Sequence, residues 1–90
     1  MKIVIYSKNN CQFCTKAKHL VKTLGLEYAE KSLEKDFGSD PVKLVEDIGK
    51  QVITMPQVKI DDKLVGGYNQ LIEYFADKGL VNFKGEVIDK

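Results

Sequence analysis

The sequence predicts an α/β architecture, a mixed four-stranded sheet flanked by three helices. Three observations carry this. The chain opens on a short, apolar, β-branched run, KIVIY over residues 2–6. Three later stretches place apolar residues at three- and four-residue spacing, and a glycine ends each of them. Between the second and third of these, two short apolar runs flank Asp61-Asp62 in a hairpin pattern. The resulting order is β-α-β-α-β-β-α. The first strand–helix–strand unit implies a parallel pair, and the hairpin adds antiparallel strands.

Each element has its own signal. Residues 2–6 read as a buried strand. Asn10 is a good N-cap for a helix over residues 11–24, with Phe13, Ala17, Leu20, Val21 and Leu24 as its apolar face and Gly25 as its stop. Residues 27–32 read weakly as a second strand, and residues 34–39 as a charged loop. Asp40-Pro41 starts the second helix, whose apolar face is Val42, Val45 and Ile48, and Gly49 ends it. Residues 57–60 and 63–65 form the hairpin. Gly66-Gly67 breaks the chain, and Asn69 caps a third helix that buries Leu71, Ile72, Phe75 and Ala76 before Gly79. The tail, residues 81–90, either adds a short strand at 86–88 or frays.

Ninety residues without repeat, linker or low-complexity tract are expected to form one domain over residues 1–90. The 14 basic and 13 acidic side chains leave a net charge of +1, with no basic stripe interleaved with aromatics, so nucleic acid is not an expected partner. The apolar opening is too short for a signal peptide or a membrane span, so the expected compartment is the cytoplasm. In a reducing compartment a single cysteine pair seldom serves as a structural staple. The C-x-x-C spacing of Cys11 and Cys14 points to redox or metal chemistry instead.

Cys11-Gln12-Phe13-Cys14 sits where the first helix begins. Unpaired N–H groups and the positive end of the helix dipole favour a thiolate there, so the first cysteine should fall below the free thiol value of ~8.5. Cys14, one turn deeper, should be the less exposed thiol. Cys11 is then the nucleophile, and Cys14 resolves the mixed disulfide. A structural zinc site normally takes four ligands, and there is no third cysteine and only one histidine, so no metal site is expected. His19 lies about 12 Å along the helix from Cys11 and reads as a surface residue. Lys8, three residues before Cys11, is either a solvated surface lysine or a charge that supports the thiolate or pairs with a substrate carboxylate. Spacing alone does not favour a cis bond at Met55-Pro56. Gly66-Gly67 is a plain turn or a place where backbone meets a ligand.

Taken together, SKNNCQFC after the first strand, the segment GKQVITMPQVKID and the stretch LVGGYNQL resemble the glutaredoxin family, over residues 2–78. Their counterparts are the family's C-P-Y-C, T-V-P and G-G motifs, and the wording is similar to glutaredoxins of large bacteriophages. The resemblance implies a thioredoxin-like fold and a glutathione-dependent thiol–disulfide oxidoreductase with no tightly bound cofactor. It implies a cis bond before Pro56 and a glutathione groove beside Cys11. In that groove Lys8 holds a carboxylate or supports the thiolate, and Phe13 is a wall. Thr54, Met55 and Pro56 supply the strand-like edge for the cysteinyl part. Gly66, Gly67, Asn69 and Gln70 take the γ-glutamyl end. It further implies a monomer acting on disulfide-containing proteins, with ribonucleotide reductase as a family-typical partner. Three positions depart from the pattern: Gln12 stands in place of proline, Phe13 in place of tyrosine, and Gln70 in place of a frequent aspartate. Lacking the motif proline is also a trait of family members that carry an iron–sulfur cluster between two subunits, using the first cysteine and glutathione. That is the alternative reading, and Cys14 weighs against it.

Overall fold

A computed structural model describes residues 1–51, 54–82 and 84–88 of the chain. The elements are β1 (Ile3–Ser7), α1 (Gln12–Thr23), β2 (Tyr28–Ser32), α2 (Leu33–Asp36), α3 (Pro41–Ile48), β3 (Gln57–Ile60), β4 (Lys63–Gly66) and α4 (Tyr68–Asp77). The sheet order is β2-β1-β3-β4. β1 runs parallel to β2, with Ile3 opposite Tyr28, and antiparallel to β3, with Tyr6 opposite Gln57. β3 and β4 are antiparallel, with an irregularity between Val58 and Lys59. This is the mixed four-stranded sheet that the element order predicts.

Side chains alternate across a strand, and β1 uses both of its faces. Ile3 and Ile5 join the larger core with Ala17, Leu20 and Val21 of α1 and Leu71, Ile72 and Phe75 of α4. Tyr6 points the other way, into a smaller core with Leu44 and Ile48 of α3, packed by Val4, Leu33, Phe37 and Met55. The helices therefore cover both faces. The buried Tyr6 hydroxyl donates to Asp47 Oδ2 at 2.6 Å, and Lys31 Nζ donates to the same oxygen at 2.9 Å. Burial and the Asp47 carboxylate push the Tyr6 phenol above its ordinary value. Hydrogen bonds from Lys31 and Tyr6 hold Asp47 below the usual carboxylate range. A matching group sits beside α1. Glu30 Oε2 accepts from Ser7 Oγ at 2.6 Å and from Lys18 Nζ at 2.8 Å. These bonds, first that from Lys18, hold the Glu30 carboxyl down as well.

Several expectations need correction. Residues 34–39 do not form only a loop, because Leu33–Asp36 make a single helical turn. Ser32 closes it at both ends: its Oγ accepts from Lys35 N at 3.3 Å, and its own N–H donates to Asp36 Oδ2 at 2.6 Å. In α3 the face toward the sheet is Leu44 and Ile48, while Val42 is 63% exposed. At 100° per residue Val42 lies about 200° round the helix from Leu44, so it cannot share that face. In α1 Ala17, Leu20 and Val21 are buried as expected, but Phe13 is exposed and Cys14 takes the buried position at the start of that face. α4 begins at Tyr68, with Gly67 rather than Asn69 at the cap, and Asn69 lies exposed in the first turn. In the tail Val81 pairs with Val87 in one antiparallel bridge, and Ile88 N donates to Leu80 O at 3.0 Å. Residues 89–90 of that stretch, and 52–53 before β3, lie outside the described residues.

Candidate active site

β1 delivers the chain to the sheet's carboxyl edge, and the turn that follows sets up the cysteines. Asn10, the expected cap, instead adopts a left-handed φ of 55°, a conformation asparagine tolerates better than most residues. Cys11 is the N-cap, and its Sγ accepts the backbone N–H of Cys14 at 3.1 Å. Helix caps are normally side-chain oxygens, so a sequence search for caps passes over a sulfur. Cys11 and Cys14 are joined in a disulfide, with Cα atoms 5.2 Å apart. Cys14 is 2% exposed, and Cys11 is partly open to solvent.

The loop before β3 faces this pair. Its Met55–Pro56 bond is cis, as the resemblance implies and spacing did not. Met55 O lies 3.7 Å from Cys11 Sγ. Gln57, a polar residue 6% exposed at the start of β3, explains how the loop is held. Its Nε2 donates to Thr54 O at 2.9 Å and to Thr54 Oγ1 at 3.4 Å. The sequence reading did not single out Gln57. Its signal is a polar side chain at a strand position that otherwise reads as buried.

Phe13, Thr54, Met55, Pro56, Gly67, Asn69 and Gln70 line one cleft of about 230 Å³. Gly66 lines the adjoining hollow of about 410 Å³, together with Thr54, Gly67 and Gln70. Lys8 lies outside both. It lines the open surface over Cys11 and Cys14, and an apolar trough on the far side of Met55. The structure adds Tyr68, which the sequence reading quoted within its motif without giving it a role. Its ring centroid is 5.8 Å from that of Phe13, and the pair forms an aromatic wall. Lys16 Nζ sits 5.1 Å from the Phe13 centroid.

Gln70 is folded back over the two glycines. Its Oε1 accepts from Gly67 N at 3.0 Å. A Cβ built on Gly66 would stand 3.0 Å from Gln70 Cγ, at a φ of 124° that L side chains rarely adopt. The backbone favours glycine here, and any side chain would crowd Gln70. Among the described residues, no group of three or more His, Cys, Asp or Glu side chains is placed to hold a metal ion. Among the same residues, no helix is long and apolar enough to cross a membrane.

A disulfide-bonded C-x-x-C pair at a helix start, facing a cis-proline loop on a sheet of this topology, defines a thiol–disulfide oxidoreductase of the thioredoxin-like fold. Comparison with known proteins makes the assignment narrower. A family model described as Glutaredoxin matches residues 3–65. The chain is 31% identical to glutaredoxin 1 of Escherichia coli over 81 residues, covering 86% of this chain and 95% of that protein. It is 40% identical over 74 residues to the hybrid peroxiredoxin hyPrx5 of Haemophilus influenzae, covering 82% of this chain but 29% of that longer protein. Its fold superposes on a crystal structure of the buckwheat glutaredoxin–glutathione complex with a TM-score of 0.69 at 28% identity, covering 97% of this chain and 81% of that one. The chain belongs to the glutaredoxin family.

Proposed function

We propose that the chain reduces glutathione mixed disulfides and protein disulfides with electrons drawn from glutathione, Cys11 attacking and Cys14 resolving. The observation that carries this is the Cys14 N–H aimed at Cys11 Sγ at 3.1 Å. In the reduced protein this donor and the helix start favour thiolate over thiol at Cys11. The thiolate attacks one sulfur of the substrate disulfide. A new S–S bond forms, the old one breaks, and the departing thiolate takes a proton from solvent. The Cys14 thiol then loses its proton and attacks Cys11 Sγ, which releases the second substrate thiol and leaves the Cys11–Cys14 disulfide. Two glutathione molecules reduce that disulfide in the same two steps, leaving as oxidised glutathione.

The glutathione groove comprises Phe13, Thr54, Met55, Pro56, Gly66, Gly67, Asn69 and Gln70, with Lys8 outside these hollows beside the cysteines. The likeness to the buckwheat complex supports a ligand in this place. The cysteinyl part pairs with the Met55 backbone, which brings its sulfur beside Cys11. Lys8 supplies the positive charge for a carboxylate at the Cys11 end. A carboxylate at the other end replaces Gln70 Oε1 as the acceptor of the Gly67 N–H. The protein acts as a cytoplasmic monomer on disulfide-bearing proteins, with ribonucleotide reductase as the family-typical partner.

A glutathione-coupled assay on a small mixed disulfide tests the reading. Turnover that requires Cys11 supports it, and no turnover above the uncatalysed exchange sinks it. Anaerobic purification followed by an absorption spectrum tests the cluster-carrier alternative, which requires visible bands that vanish in Cys11→Ser.

A further inference from the structure

We propose that the trough between α2, α3 and the Met55 loop receives the polypeptide of a protein-disulfide substrate, holding an apolar side chain within three residues of its reacting cysteine. The inference rests on Cys11 being the nucleophile.

Three observations support it. First, the trough has a volume of about 530 Å³, in the range of ligand clefts, and its walls include Leu33, Val42, Val45 and Met55. Second, it adjoins the loop that faces the reacting sulfur. Thr54 and Met55 line both this trough and the cleft on the α4 side, and Met55 O is 3.7 Å from Cys11 Sγ. Two grooves thus flank the Met55 loop, whose carbonyl faces the nucleophile. Third, Val42 is 63% exposed, more than any other large apolar side chain among the described residues, and the core makes no use of it.

A tripeptide thiol does not account for this shape. Glutathione ends in a glycine with no side chain, so its end can reach Lys8 at the trough but leaves the apolar walls wet. A polypeptide continues past its cysteine at about 3.3 Å per residue, so side chains two or three positions away lie along the trough. Lys8 and Glu46 both line it, so charges of both signs are present and the apolar walls do the selecting.

The test uses two symmetric peptide disulfides. In one, leucines stand two residues either side of the single cysteine; in the other, serines replace them. The disulfide of 2-mercaptoethanol is the reference. The wild-type chain should reduce the leucine peptide with about tenfold higher kcat/KM than the serine peptide, equivalent to 1.4 kcal/mol. In Val42→Asp the preference should fall to within about twofold, with the reference disulfide reduced at the wild-type rate. Val42→Lys should do the same and excludes an effect of charge sign. Val42 is exposed, and unchanged thermal midpoints of both variants check the fold. A preference that survives both substitutions, or none in the wild type, overturns the proposal. So does a wild-type dimer that Val42→Asp converts to monomer in sedimentation, because the occupant is then a second copy. If the wild type fails to reduce the reference disulfide, the oxidoreductase reading itself has failed, and the docking proposal falls with it.

Discussion

Cys11 caps the hydrogen-bond ladder of α1, and in the proposed function the same sulfur is the atom that attacks. The cap makes the assignment of roles testable residue by residue. Cys11→Ser should lower disulfide reduction by more than about 10³-fold, because the nucleophile is lost while a hydroxyl can still cap the helix. Cys14→Ser should keep activity on glutathione mixed disulfides, where a second glutathione can resolve, and lose activity on protein disulfides. Rates of alkylation measured against pH should place the Cys11 thiol below ~8.5. If Cys14, buried to 2% exposure, proved the faster and more acidic thiol, the roles would have to be exchanged.

At the scale of the element, the turns that bound α1 and α4 make the sharpest predictions. On sequence grounds, Gln12→Pro should remove a donor from the Cys11 thiolate and make the protein more oxidising. The structure assigns the donor to Cys14 N and places Gln12 at the first helical position, where proline is tolerated. Equilibration against glutathione redox buffers should therefore find a shift below ~30 mV, or about 1.4 kcal/mol for this two-electron couple. Gly66→Ala should destabilise by about 1–2 kcal/mol in urea unfolding, since φ is 124° and the new methyl meets Gln70. The same turns show what the sequence could disclose. The order of elements along the chain, the parallel first pair and the hairpin followed from periodicity and glycines, because those signals extend over many residues. The ends of the helix faces did not. Phe13 and Val42 were read as core, and a run of apolar residues does not say which of two neighbouring faces meets the sheet. α2 was passed over because one charged turn held by Ser32 and Asp36 has no apolar period at all. The cysteines and Met55-Pro56 were legible as motifs. The hold of Gln57 on Thr54 was not, since it joins side chain to loop in space.

Across the whole molecule, the two faces of the sheet are tied by ionisable groups, so stability should depend on pH at both limits. Asp47 and Glu30 are held below their ordinary values, Asp47 chiefly by Lys31 and Glu30 chiefly by Lys18. Their contribution is present above the unfolded carboxylate values of ~4 and disappears as pH falls through the lower folded values. The Tyr6 phenol is raised, so its contribution is present below the unfolded value of ~10 and disappears as pH rises beyond it. Thermal midpoints measured across pH should show both limbs. Tyr6→Phe should flatten the alkaline one and cost about 1 kcal/mol at neutral pH through the lost bond to Asp47. A midpoint in Tyr6→Phe that still drops above pH ~10 as in the wild type would clear Tyr6 of that role. The helix start at Cys11 has an electrochemical meaning as well. Folding and oxidation form a closed thermodynamic cycle. Any free energy by which the fold favours the dithiolate-capable form over the disulfide must reappear as a potential difference between the folded chain and the same C-x-x-C segment unfolded. The Cys14 amide and the helix start favour a charged sulfur, and only the reduced chain can carry one. The reduced chain should therefore unfold at the higher denaturant concentration. Each 1.4 kcal/mol of that gap should make the folded pair about 30 mV more oxidising than the unfolded peptide, so paired unfolding curves serve as a voltmeter.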